Sequence, residues 1–353
     1  MADVKKYSYH EDIKKKNILK LRELEALLPR FCLIFFNGMT DHVAPRTLVA
    51  YAYDLEIFFR YINENVLKPS YDDIKDIPLK ALEDIQKFDI ENYLQYLTYY
   101  TGADGTEHTN DERGKKRKLS SLRSFYNYYY ESELIRSNPA SIVHVPKIHD
   151  KNIIRLDSDE TSKLIEVVEN GSGQSSAHEL KYHEKNAVRD VALVTLLLGT
   201  GIRVSECVGL DITDVDFDNG AVRIVRKGGN EATVYFGDEV YDALSEYMDE
   251  RMKLIAAPGS ENALFLSMQK KRISVRAVEN LVKKYASYVT SLKKITPHKL
   301  RSTYGTALYR ESGDIYLVAS VLGHKDVNTT RKHYASMDDD KKRMAANMVK
   351  LKK

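Results

Sequence analysis

The chain has 353 residues, 43% hydrophobic and 30% charged, which is too long for one ordinary core and predicts two domains. No apolar run approaches the ~20 residues of a membrane span, and the polar start Met1-Ala2-Asp3-Val4-Lys5-Lys6-Tyr7 is no secretory signal, so a cytoplasmic location is expected. With 54 basic against 51 acidic residues the net charge is only +3, so bulk charge makes no case for nucleic acid; that case must rest on where basic residues cluster.

In chain order, residues 8–36 read as one helix closed by Asn37-Gly38, with Ile18, Leu19, Leu21, Leu24, Leu27 and Leu28 near helical spacing. A second helix opens at Pro45, a good first-turn residue, and places Leu48, Tyr51, Leu55, Phe58, Phe59 and Ile62 on one face, leaving Arg46, Thr47 and Tyr53 partly outward. A polar connector with Pro69 and Pro78 leads to a third helix over about 80–100, followed by the turn-rich stretch 101–106. The fourth helix starts with Lys115-Lys116-Arg117-Lys118, carries Leu119, Leu122, Phe125, Tyr126 and Tyr129 inward, and is stopped by Asn138-Pro139. Its basic run, with Arg123, is either a solvated helix start or a phosphate-tracking face; positive charge beside a positive helix end suits a polyanion. Residues 148–156 read as a linker between a domain at 1–147 and a second at 157–340, with a C-terminal tail at 341–353. Cys32 and Cys207 lie in apolar helical contexts without metal-ligand spacing, which predicts two buried reduced thiols.

The second domain opens on Asp157-Ser158-Asp159-Glu160, a helix cap with an acidic first turn. An apolar helix over 187–199 ends at Gly199-Thr200-Gly201, just ahead of Arg203 and Glu206, which are three apart and able to touch on a helix. A strand pattern over 212–236 contains two hairpin turns, with Lys227 at the tip of the second. Helices follow at about 238–256 and 273–290, with a short strand Ala263–Leu266 between them and Lys271 and Arg276 as further basic candidates. Thr296-Pro297 opens a helix that places His298 and Arg301 on one face of its N-terminus, a ready anion site. A last helix, Ile315–Leu322, precedes Leu322-Gly323-His324 and Tyr334.

Taken in order, Gly201-Ile202-Arg203-Val204-Ser205-Glu206, Lys227, His298-Lys299-Leu300-Arg301, Leu322-Gly323-His324 and Tyr334 resemble the tyrosine recombinase (phage integrase) family of Xer and Cre type. The resemblance covers about 157–340 and implies a mainly α protein with a small antiparallel sheet. It would comprise a helical core-type DNA-binding domain followed by an α+β catalytic domain. It implies site-specific DNA recombination in which Tyr334 attacks a DNA phosphate and forms a 3′-phosphotyrosyl link. Arg203 and Arg301 would hold the phosphate oxygens, His298 act as general base, Lys227 as general acid, and His324 donate to the phosphate, with Glu206 supporting Arg203. The link conserves phosphodiester energy, so no cofactor or metal is implied.

Double-stranded DNA is the implied substrate, with DNA-contact candidates at Arg46, Thr47, Lys115, Lys116, Arg117, Lys118, Arg123, Lys271 and Arg276. The implied assembly is a homo-oligomer, four protomers in the synapse, with an accessory directionality protein and with the tail exchanged between protomers. Residues 1–36 hold too little for an arm-binding domain, which favours a simple two-domain enzyme acting as resolvase, invertase or mobile-element integrase. Alternatives are a type IB topoisomerase, which shares the chemistry, and a DNA-binding regulator without catalysis. In the family the tyrosine follows its histidine by about nine residues; here it follows by ten, with His333 in the usual place, and one residue turns a helix by roughly 100°. The segment 325–333 is therefore expected to be looped or kinked.

Overall fold

The computed structural model describes residues 8–102, 104–145, 147, 154–171, 173, 176–226, 228–324 and 327. Lys227, Tyr334, the tail at 341–353 and all of 325–333 except Val327 lie outside the described residues. The chain divides into two compact units, Met1–Lys151 and Asn152–Lys353. No helix among the described residues is long and apolar enough to cross a membrane.

The first unit is helical: α1 (Tyr9–Glu25), α2 (Cys32–Met39), α3 (Pro45–Asn65), α4 (Lys87–Tyr96) and α5 (Glu112–Glu131), with a hairpin of β1 (Tyr99–Thr101) and β2 (Glu107–Thr109). The single helix expected over 8–36 is two. Pro29 has no N–H and disfavours helix at the residue before it, so α1 ends at Glu25. Asn37-Gly38 does not break α2; Gly38 lies where Tyr128 packs, and a Cβ there would stand 2.4 Å from the Tyr128 hydroxyl. The helix expected over 80–100 is shorter, because a capping box at Gln86 and Asp89 starts α4 late and Tyr99 enters the hairpin. Asp111 caps α5, which puts the basic run a turn inside the helix rather than at its start. That helix ends at Glu131, with Glu133 left-handed at φ 58°, well before Pro139.

The apolar faces of α3 and α5 meet as expected: Leu48, Leu55, Phe58, Phe59 and Ile62 are buried, as are Leu119, Leu122, Phe125, Tyr126 and Tyr129. Phe125 sits 5.2 Å from Phe35, 5.8 Å from Phe59 and 5.0 Å from Tyr129, centroid to centroid, all edge-on. One polar knot crosses this core. Asp54 of α3 is buried and accepts from Arg117 of α5 at 2.6 Å through Nη2, from Arg117 Nη1, and from the Ser121 hydroxyl at 2.6 Å.

The second unit contains α6 (Ser158–Asn170), α7 (Ala177–Glu184), α8 (Ala187–Thr200), α9 (Val204–Gly209), an antiparallel sheet in the order β3 (Val215–Asp216), β4 (Ala221–Val225), β5 (Glu231–Tyr235), then α10 (Asp238–Lys253), α11 (Val275–Val289), α12 (Pro297–Ser312) and α13 (Ile315–Leu322). Both turn-bounded hairpins form as read, with Val222 opposite Val234. The strand expected at 263–266 is reduced to isolated bridges, Asp211 to Ala263 and Leu266 to Arg272. Asp157 caps α6 reciprocally with Glu160, as its sequence predicts.

Helix α8 is the hub: Ala192, Leu193, Val194, Leu196 and Leu197 are all buried, as an all-round apolar helix requires. Its one charged pair is satisfied internally, Arg189 meeting Asp190 at 2.6 Å while the Tyr285 hydroxyl donates to Asp190 at 2.9 Å. Both cysteines are buried, and burial pushes the Cys207 thiol up to about 12.

Removing Asp54 takes both carboxylate bonds from the Arg117 guanidinium and leaves the Ser121 hydroxyl only the Arg117 carbonyl at 3.3 Å. Because Arg117 is half exposed and can rehydrate, Asp54→Ala is expected to lower the stability of the first unit by ~1–3 kcal/mol in urea unfolding. A loss under about 0.5 kcal/mol would show that the knot is not structural.

Candidate active site

The site grows from the end of α8. Gly201 closes that helix in the left-handed region at φ 63°, which glycine adopts without steric cost. It is also a close-approach position: a Cβ would stand 2.4 Å from the Tyr304 ring on α12 and 3.0 Å from Leu322 on α13. The chain then turns, and Arg203 caps α9 in extended conformation. Arg203 therefore stands ahead of the helix rather than on its face. Its pairing with Glu206 is a capping arrangement: one carboxylate oxygen accepts the Arg203 backbone N–H at 2.7 Å, the other its Nη1 at 2.8 Å. Glu206 is buried at 4% exposure while the Arg203 side chain is 37% exposed, so an interior carboxylate holds a guanidinium that reaches the surface.

Helix α12 begins as its sequence predicts, with Thr296 at the cap and Pro297 in the first turn, though the Thr296 hydroxyl makes no capping bond. His298 is exposed, and Arg301, one turn on, is 5% exposed. Arg301 Nη1 donates to the Gly201 carbonyl at 2.6 Å, and Nη2 donates to the Leu322 carbonyl. Those acceptors lie at the C-terminal ends of α8 and α13, where the helix dipoles are negative, so one cation closes two helix ends.

Helix α13 starts on Asp314, whose carboxylate accepts the N–H groups of Tyr316 and Leu317 at 2.8 and 3.2 Å. It ends at Gly323, left-handed at φ 63°, and the His324 N–H returns to the Ala319 carbonyl at 2.9 Å. From the sheet, Arg226 at the end of β4 donates Nη2 to the Val321 carbonyl at 3.1 Å. The structure thus gathers the Arg203 motif, the His298–Arg301 turn, the Gly323-His324 turn and the β4 end into one assembly. Guanidinium forks and imidazoles on such a framework suit a tetrahedral anion such as a phosphodiester.

Sequence reasoning missed Arg226. No spacing pattern marks it, because its partner lies 95 residues away. The remaining basic candidates fall into two groups. Arg117 is tied to Asp54; Lys118 is buried with its ammonium 2.9 Å from Asn110; Lys115 donates to Thr98 at 2.7 Å; and Arg123 donates to the Ala140 and Val143 carbonyls at 3.1 and 2.6 Å. Arg46, Lys116, Lys271 and Arg276 are exposed and Thr47 is half-buried, with Arg276 3.4 Å from Glu279.

Residues 155–341 match the model of the phage integrase family. The chain is 34% identical over 313 residues to a tyrosine recombinase XerC of Caldanaerobacter subterraneus subsp. tengcongensis, covering 86% of this chain and 81% of that protein. It is 30% identical over 208 residues to a tyrosine recombinase XerD of Staphylococcus epidermidis, covering 59% and 66%. Among solved structures, the fold is shared with XerH recombinase bound to its difH substrate, at TM-score 0.59 and 21% identity over 82% of this chain and 76% of that one. It is also shared with a lambda integrase dimer on a core site, at TM-score 0.61 and 17% identity over 86% and 93%.

A lysine at 301 donates from a single nitrogen and lacks the two separated Nη atoms with which the planar fork reaches both carbonyls. Arg301→Lys is expected to leave a buried carbonyl unpaired and to lower the stability of the second unit by ~1–3 kcal/mol in urea unfolding. Unchanged stability would mean that the two carbonyls do not depend on the fork.

Proposed function

The chain belongs to the phage integrase family, and we propose that it performs this family's strand exchange through Tyr334, Arg203, Arg301, Lys227, His298 and His324. It is a tyrosine-type site-specific DNA recombinase. Its partner is recombination-site DNA, on which it works as an oligomer. In the proposed reaction the phenolic oxygen of Tyr334 attacks phosphorus as His298 takes its proton. The bond to the 5′ oxygen breaks, and Lys227 protonates that oxygen. The product is a 3′-phosphotyrosyl link and a free 5′ hydroxyl, and attack by a 5′ hydroxyl from the second duplex reverses the step.

The observation that carries the residue assignment is the clamp on the two arginines. Glu206 fixes Arg203 by two bonds, and two of the Arg301 donors are anchored on carbonyls, so the positive charges are in place before substrate arrives. Charge that develops on the phosphate is then met by groups that need not reorganise. A free tyrosine with pKa near ~10 is a weak nucleophile at neutral pH, so Tyr334 depends on these groups.

Four protomers on two duplexes, with the tail at 341–353 exchanged between neighbours and an accessory protein setting direction, complete the proposal. The substrate places the protein with DNA in the cytoplasm. Arg46, Thr47, Lys115, Lys116, Arg117, Lys118, Arg123, Lys271 and Arg276 are the proposed DNA-contact residues, of which Arg46, Lys116, Arg117, Lys271 and Arg276 are exposed.

The test starts by mapping where the purified chain becomes covalently attached on host and element DNA. On the mapped site, strands from two duplexes should be joined in a sequence-dependent way; relaxation of supercoils without sequence dependence would replace the reading with a topoisomerase. Arg203→Ala is expected to bind that site within about 3-fold of wild type and to cleave it ~10²–10³-fold more slowly, since its contribution is made in the transition state. Equal losses in binding and cleavage would contradict that role.

A further inference from the structure

Strand β4 ends at Val225, and Arg226 is the residue from which the following loop departs. The backbone there is tightly tied: the Arg226 N–H donates to the Asn230 carbonyl at 2.8 Å and the Gly229 N–H to the Arg226 carbonyl at 3.0 Å. The side chain lies on the turn that ends α13. A Cβ built on Gly323 would fall 1.6 Å from Arg226 Nη1 and 2.3 Å from Cζ, so the guanidinium occupies space that only a glycine leaves. Nη2 donates to the Val321 carbonyl at 3.1 Å, next to the Leu322 carbonyl that Arg301 holds. Consecutive carbonyls of one helix end are thereby held by two different arginines.

The arrangement is a poor one for stability alone. Among the described residues Arg226 Nε is buried without a partner, a cost that an aliphatic side chain of similar length would avoid. Such a local violation points to function when it lies beside a site. The turn it braces presents His324, whose N–H is already committed to Ala319. We propose that Arg226 is a positioning residue of the catalytic site, which seats the Val321–Gly323 turn on the end of β4 and thereby fixes the imidazole of His324. This inference rests on the reading of His324 as a phosphate-binding group.

The test uses the full chain and a nicked duplex carrying the covalently mapped DNA site. Thermal midpoint, DNA affinity and single-turnover cleavage are measured for Arg226→Met, Arg226→Lys, His324→Ala and the double variant R226M/H324A. Arg226→Met is expected to keep its midpoint within about 2 °C or to raise it, to bind within about 3-fold, and to cleave roughly 10–100-fold more slowly, as small misplacement of a catalytic group does. Arg226→Lys should recover part of the rate. In the His324→Ala background the added effect of R226M should shrink below about 3-fold, because both changes remove the same interaction.

A wild-type rate in R226M, a defect retained in full without His324, or a rate that falls only in step with the midpoint would overturn the proposal. A wild-type rate in His324→Ala would instead remove the reading of His324, and with it the role given to Arg226. If R226M does not fold, Arg226→Gln, which leaves Gly323 and its left-handed turn intact but removes the guanidinium, should give the same pattern: slower cleavage that His324→Ala abolishes as a separate effect.

Discussion

The second unit depends on the need of one buried guanidinium for acceptors. Arg301 cannot lose its charge, and a buried charge without partners is prohibitive. Its partners are the Gly201 and Leu322 carbonyls, at the closing turns of two helices that lie far apart in the chain. Satisfying the fork therefore brings the end of α8, the start of α12 and the end of α13 together. The catalytic candidates Arg203, His298 and His324 each lie within three residues of one of those points. The glycines at 201 and 323 answer the same demand: both are left-handed caps, and both leave room for a side chain from another element, Tyr304 in one case and Arg226 in the other.

Around that fork, positive charge is fixed in advance by groups that are themselves immobile. Glu206 is interior and both its oxygens are used on Arg203, one holding the backbone N–H and the other Nη1, so the guanidinium is tethered at one nitrogen to a fixed carboxylate. Carbonyls at helix ends supply partial negative charge to Arg226 and Arg301 without introducing a carboxylate that would compete with a phosphate. In the first unit the opposite economy holds. There the conspicuous basic run is largely turned to internal use: Asp54 takes Arg117, Asn110 takes Lys118, and the carbonyls near Pro139 take Arg123.

What was legible in the sequence was local. Asp157 with Glu160 and Thr296-Pro297 mark helix starts because capping involves residues within one turn, and α6 and α12 begin where those signals stand. The apolar faces of α3 and α5 follow from 3.6-residue periodicity. The misreadings also have local causes. The leucine spacing runs through Pro29 and hides the break there, and Gly38 serves close packing under Tyr128 instead of breaking its helix. The Glu206–Arg203 contact was legible because the residues are three apart, but its form as a cap was not. Partners separated by 63, 95 or 100 residues, such as Asp54 with Arg117, Val321 with Arg226 and Gly201 with Arg301, leave no periodic trace. The family resemblance located Arg301 and His324; only the structure shows what holds them.

The central claim is that this framework activates Tyr334 as the nucleophile. The most direct measurement is mass spectrometry of the trapped covalent complex after nuclease and trypsin digestion. The account predicts a 3′-linked nucleotide remnant on the peptide His333–Lys341, located to Tyr334 by fragmentation. A remnant on any other residue, Tyr304 over Gly201 included, would contradict it.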